Sequence, residues 1–168
     1  MKKFCLRFDK EENVKKIAAF MVFLIILTAG VWYYWNTNNM YKFVNKENIT
    51  SDYRIDDISH DRIRFTEKAL GDGYILKNFT ISKVENGIDA ITKFKTSNHV
   101  YEGNGYQKLF QDENEVVFVK TEYDKHTYVI NKYLQEKDIY IEITYVSEEQ
   151  VTGYEINSLM YEAESFLI

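Results

Sequence analysis

The chain has 168 residues, 45% hydrophobic and 16% aromatic, with 21 basic residues against 26 acidic ones and a formal net charge of −5. That length suits one ordinary domain plus a small accessory element. The apolar and aromatic content excludes a disordered chain, and the acidic balance excludes a basic nucleic-acid binder. Cys5 is the only cysteine, so no intrachain disulfide can form and any folded part must rest on its apolar core. No proline occurs, which argues against Pro-rich linkers.

Residues 1–16 read as a short cytoplasmic tail, too small for a folded domain. The next segment, Ile17 to Trp35, reads IAAFMVFLIILTAGVWYYW and carries no charge. A helix of this length spans about 28 Å, close to the roughly 30 Å hydrocarbon core of a bilayer. Its Leu, Ile, Phe and Val residues favour insertion by a few kcal/mol in total, at roughly −0.3 to −0.6 kcal/mol each. Trp32, Tyr33, Tyr34 and Trp35 place amphipathic rings at one boundary, where such rings prefer to sit. Lys15 and Lys16 close the other boundary and can snorkel to headgroups.

Orientation follows from charge. Lys2, Lys3, Arg7, Lys10, Lys15 and Lys16 precede the segment, and only Lys42 and Lys46 closely follow it. The positive-inside rule then keeps the N-terminus cytoplasmic and places the remainder outside. A cleavable leader fits less well, because Thr28 and Gly30 make a weak cleavage pattern and the mature chain would begin VWYYW. Ala18, Ala19, Ala29 and Gly30 are small but form no clean small-xxx-small repeat.

Residues 36–48 read as a spacer and 49–168 as an extracytoplasmic α+β domain. Tyr53 to Ile58 and Arg62 to Phe65 are short candidate strands. Tyr74 to Val84 is a longer one. Glu85-Asn86-Gly87 then offers a tight turn, with Ile88 to Lys95 expected to return as the second arm of a hairpin. Thr96 to Gly105 is turn-rich. Tyr106 to Phe110 is a short strand, followed by a polar turn over Gln111 to Glu115. Val116 to Thr121 is apolar on both faces, which suits a central strand. Thr127 to Leu134 is the next strand. Ile139, Ile141, Ile143 and Tyr145 then alternate with Tyr140, Glu142, Thr144 and Val146, a period of two that puts the isoleucines on the core.

Near the end the period changes. Ser147 with Gln150, and Thr152 with Glu155, each make a capping-box pattern. Ile156, Leu159, Met160, Ala163, Phe166 and Leu167 form one apolar helical stripe, which must be buried, most simply against the sheet. The expected domain is an antiparallel sheet of about five to seven strands with a C-terminal amphipathic helix. The closing residues YEAESFLI resemble the last helix of the PsbP/Mog1-like α+β folds of small exported proteins. The likeness covers about a dozen residues and implies that class of fold alone.

Chemistry-bearing patterns are sparse. His60, His99 and His126 are scattered, without an H-x-x-x-H or H-E-x-x-H spacing or a nearby cysteine. Asp52, Asp56, Asp57 and Asp61 cluster, as do Asp112, Glu113 and Glu115, but neither group matches a calcium loop. No Gly-x-Ser-x-Gly elbow is present. Gly71-Asp72-Gly73 and Gly103-Asn104-Gly105 read as turns, without a P-loop lysine. The sequence therefore suggests no catalytic residue, metal or cofactor, and no nucleic-acid partner. Asn48-Ile49-Thr50 and Asn78-Phe79-Thr80 match the glycosylation sequon, which matters only in a eukaryotic secretory pathway. The Lys-rich start and the lack of disulfides point to a bacterial envelope instead.

Recognition of another protein survives best. His99, Val100 and Tyr101, beside glycines, look like an interaction loop. Tyr123, Tyr128, Tyr133 and Tyr140 supply the ring surface that interfaces favour. The expected function is a single-pass, membrane-anchored binding or accessory protein of a secretion, transport or sensing assembly. Its partners would be the bilayer, through residues 17–35, and another membrane or envelope protein. A small anchored extracellular hydrolase and a structural subunit assembled through its helix are the alternatives.

Overall fold

The structure is a computed structural model that describes residues 10–37, 39–45, 47–49, 52–59, 61–68, 76–85 and 87–168. Cys5, His60, the Gly71-Asp72-Gly73 turn, Asn86 and the start of the strand expected from Tyr74 lie outside the described residues. The chain divides into two units, residues 1–37 and 38–168.

The first unit contains helix α1, Lys10–Thr37. It extends past the predicted 17–35 segment at both ends. Its stretch Val14–Asn36 has a mean hydropathy of 2.1, and its most apolar part is 0% buried. Phe20, Phe23, Ile25, Ile26 and Trp32 all lie open on its surface. A soluble core helix hides one stripe, so a helix apolar all round is suited to lipid. Its one central hydroxyl is provided for within the helix. Thr28 Oγ1 donates to the carbonyls of Leu24 at 2.9 Å and Ile25 at 3.0 Å, so no polar group need be bare in hydrocarbon. α1 is thus one N-terminal apolar helix long enough to span a membrane.

Among the described residues, the second unit has nine strands, two α-helices and a short 3-10 turn of helix at Met40–Lys42. The strands are β1 Tyr53–Ile58, β2 Arg62–Glu67, β3 Leu76–Ser82, β4 Val84–Glu85, β5 Ile88–Asp89, β6 Gln107–Gln111, β7 Glu115–Glu122, β8 Lys125–Leu134 and β9 Ile139–Ser147. The helices are α2 Ala90–Gly103 and α3 Gly153–Ser165. Seven strands make one antiparallel sheet in the order β1-β2-β3-β9-β8-β7-β6, and β4 pairs with β5 alone. The expected α+β class, strand number and closing helix are all observed.

Each sheet face has its own core. On one face Phe65, Phe79, Ile143, Ile130 and Val117 stand in register across five strands, with Leu159, Met160, Ala163 and Phe166 from α3 and the residue after it packed on the same cluster. Tyr53, Phe65, Phe79 and Phe166 form an aromatic nest with ring centroids 4.7 to 5.9 Å apart, mostly edge to face, a geometry that ring quadrupoles favour. On the other face α2 lays Ala90 and Phe94 over Val116, Phe118, Val129 and Tyr140.

Four local expectations need correction. Ile88 to Lys95 is not a returning strand. Only Ile88 and Asp89 pair, and the Asp89 carboxylate then accepts from the Thr92 N–H at 2.8 Å and caps α2. The stretch Thr96 to Gly105 is helical as far as Gly103, and the turn is confined to Asn104 and Gly105, where Gly105 has φ +78°. β7 is not central but one strand from the edge; it is apolar on both faces because its Val117 joins the α3-side core while Val116 and Phe118 join that under α2. Of the two capping patterns, Thr152 with Glu155 starts α3, while Ser147 Oγ accepts from the Glu149 N–H at 3.1 Å ahead of it.

The region read as a spacer also contributes to the fold. Met40 and Val44 are 1% and 4% exposed in the α3-side core. Val44 bridges Leu167, and Ile168 N–H donates to the Phe43 carbonyl at 2.8 Å. Met40 and Val44 bury apolar side chains in that core, which the polar residues of a spacer would not do.

Candidate functional site

His99, Val100 and Tyr101 lie on the last turns of α2, not in a loop. His99 and Val100 are exposed, whereas Tyr101 turns inward. Its ring packs edge to face on Tyr106 at 5.1 Å and tilts over Phe118 at 5.7 Å. The three residues therefore do not form one surface. A bridge between Glu102 and Lys108, at 2.6 Å, ties the end of α2 to β6.

Below α2 a polar cluster interrupts the apolar core. Tyr140 Oη donates to Glu142 at 2.7 Å and also lies 2.9 Å from Asn131 Oδ1, while Asn131 Nδ2 donates to Asn98 on α2 at 2.8 Å. Burial pushes the Tyr101 and Tyr140 phenols up, and the Glu142 carboxylate beside them adds to the effect. Protonated phenols donating to a shared carboxylate satisfy polar groups that would otherwise be costly between helix and sheet. This network fixes α2 on the sheet.

The predicted acidic groups are tied into local structure. Asp56 accepts from the Thr66 hydroxyl and from Arg54 Nε, and these hydrogen bonds hold its carboxyl below the usual range. Asp57 pairs with Arg62, and Asp61 accepts from Ser59 Oγ at 2.7 Å. Asp112 accepts from the N–H groups of Asn114 and Glu115 at 2.8 and 2.7 Å, a side-chain turn typical of Asp. Among the described residues no group of three or more His, Cys, Asp or Glu is arranged to hold a metal ion. His99 is exposed on α2, and His126 Nδ1 lies 2.8 Å from Thr121 Oγ1 on the neighbouring strand.

The tyrosines singled out by sequence are mostly structural. Tyr128 is buried and its hydroxyl accepts from the Val151 N–H at 2.9 Å. Tyr133 lies beside Phe94, and Tyr140 is the buried centre of the polar cluster. Tyr123, at the tip of the β7–β8 hairpin, is 97% exposed. It and Asp124 adopt φ of 52° and 62°, the left-handed geometry of a tight hairpin turn.

The surface feature that sequence reasoning missed is on β6. Leu109 and Phe110 are 54% and 49% exposed at the sheet edge. They line a cleft of about 520 Å³ with Val117 from β7 and with Val151, Gly153, Ile156 and Asn157 at the start of α3. The strand Tyr106 to Phe110 was legible, but its edge position was not. An apolar pair in a short strand reads as core until the order of strands is known.

No protein-family model, curated protein or solved structure matches this chain. The resemblance of its last residues to PsbP/Mog1-like folds gains no support from a structural match. The class defined here is that of a globular α+β domain attached to a single helix able to span a membrane.

Proposed function

We propose that the protein is a single-pass membrane-anchored binding or accessory module, with its N-terminus in the cytoplasm and its α+β domain outside. The observation that carries this reading is α1, whose apolar surface is exposed on every side of a helix 28 residues long. In water such a surface has no use, while in a bilayer it inserts without a partner. Six basic residues precede its apolar part, and their excess favours retention of that end in the cytoplasm. The partner is another membrane or envelope protein of a bacterial secretion, transport or sensing assembly. An anchor raises the effective concentration of the domain near such a partner. His99 and Val100, exposed on α2, are offered as part of the recognition surface, with Tyr101 packed beneath them as support.

Cysteine labelling tests the orientation. Cys5 lies in the tail, and Tyr123→Cys in a Cys5→Ser background places a thiol at the most exposed hairpin tip. A membrane-impermeant maleimide added to intact cells should label Tyr123→Cys at once, and Cys5 of the unmodified chain only after lysis. The reverse pattern, or recovery of the protein wholly in the aqueous fraction, would overturn the reading.

A further inference from the structure

The apolar row on the α3 face does not end where its cover ends. Ile130 and Val117 are buried, but the next residue across, Phe110 on β6, is half exposed. A register shift between Lys108 and Phe110 leaves Leu109 without a partner on β7. Such a bulge breaks the regular ladder with which an edge strand would pair with a passing chain. Affinity at this edge must then come from side chains, and the cleft beside Leu109 and Phe110 is where they would go. Val117, Val151 and Ile156 line its apolar wall, and Asp112 and Glu115 stand at its rim. Glu113 is exposed between them in sequence.

We propose that this cleft docks an extended segment of another protein, one presenting a bulky apolar side chain next to a Lys or Arg. The proposal rests on the binding reading above and names a site for it. The volume of the cleft admits a Phe or Leu side chain, which would complete the row beyond Val117 and remove Phe110 from water. Charge selects the neighbouring residue. Two carboxylates, Asp112 and Glu115, line the cleft, and Lys132, which bridges Glu115 at 3.3 Å, is shared with Glu164 at 2.8 Å, so negative charge stays in excess and a basic group finds complementary potential there. The same rim disfavours the other occupants. An anionic lipid surface repels it, and a second copy would bring an identical acidic rim and an acidic domain.

The test uses the full chain in lipid nanodiscs and an array of nine-residue peptides that alternate Thr and Val. The central residue is Phe, Leu, Ala or Ser, and the next is Lys, Gln or Glu. Fluorescence anisotropy should show saturable binding of the Phe-Lys and Leu-Lys peptides, roughly tenfold or more tighter than Ala-Lys, as expected for a buried anchor. Phe-Lys should exceed Phe-Glu by about fivefold at low salt, and the gap should shrink as salt screens the rim. Phe110→Asp and Leu109→Asp should each lose binding while keeping the wild-type circular dichroism spectrum. Undiminished binding by both folded variants, equal affinity for Phe-Lys and Phe-Glu, or no saturable binding by any peptide would overturn the proposal. So would a concentration-dependent dimer that Phe110→Asp abolishes, which would assign the cleft to a second copy. Binding that maps to His99 and Val100 instead would remove this site and leave the binding reading standing.

Discussion

Three tyrosines tie the chemistry of single residues to the stability of the domain. Burial pushes the phenols of Tyr53, Tyr101 and Tyr140 above their ordinary range, and hydrogen bonds or charge from Glu162 and Glu142 add to it. A phenol with a raised folded pKa keeps its proton where the unfolded chain gives it up, near pH 10. Its contribution is therefore fully present below about pH 10 and is lost as pH rises above it. The melting temperature should fall steeply on the alkaline side, and Tyr140→Phe should flatten that fall. At neutral pH the same variant should cost roughly 1–3 kcal/mol, because Asn131 and Glu142 lose a buried partner. An alkaline slope unchanged by Tyr140→Phe would show that this phenol does not couple to folding. The period of two over Ile139 to Tyr145 was legible, so Tyr140 was correctly set on the face opposite the isoleucines. That this face is also covered was not legible, since its cover comes from a helix some forty residues away in sequence.

The two domain helices differ in how openly their sequences declare them. α3 shows an apolar stripe at steps of three and four and a capping box, in which Thr152 and Glu155 each bond the backbone N–H of the other. The N–H of Thr152, with its hydroxyl, holds the Glu155 carboxyl below the usual range. Thr152→Ala should lower stability by about 1 kcal/mol, read as a shift in the urea midpoint without a change in slope. A midpoint that does not move would show that packing alone holds the first turn. α2 gives weaker signals. Its buried positions Ala90, Phe94 and Ser97 include a serine, its interior carries Thr and Ser with modest helix propensity, and its cap is Asp89 without a Glu or Gln three residues on. Tertiary contacts decide the matter. Phe94 finds the pocket over Tyr140 and Val129, and Asn98 finds Asn131. His99 and Val100 thus belong to a helix face, and their shared exposure with Tyr101 is lost.

At the scale of the whole molecule, the two units present different surfaces to their surroundings. α1 presents an apolar surface suited to lipid, whereas the domain rests on its two cores. The division falls at Thr37 and Asn38, and the domain core already contains Met40. In the full chain in detergent, Met40→Ala should weaken the domain by roughly 2–5 kcal/mol through the cavity it leaves. Met21→Ala, on the exposed surface of α1, should leave the urea unfolding of the sheet unchanged. Equal effects of the two would mean that the units do not unfold separately. From sequence alone followed the apolar helix, the antiparallel sheet and its closing helix, because hydrophobic length and period are local properties of a chain. The order of the strands, the second helix, the burial of Met40 and Val44 and the bare edge at Leu109 and Phe110 were decided only in three dimensions. Each depends on which distant residues arrive to cover a surface, and no local pattern carries that information.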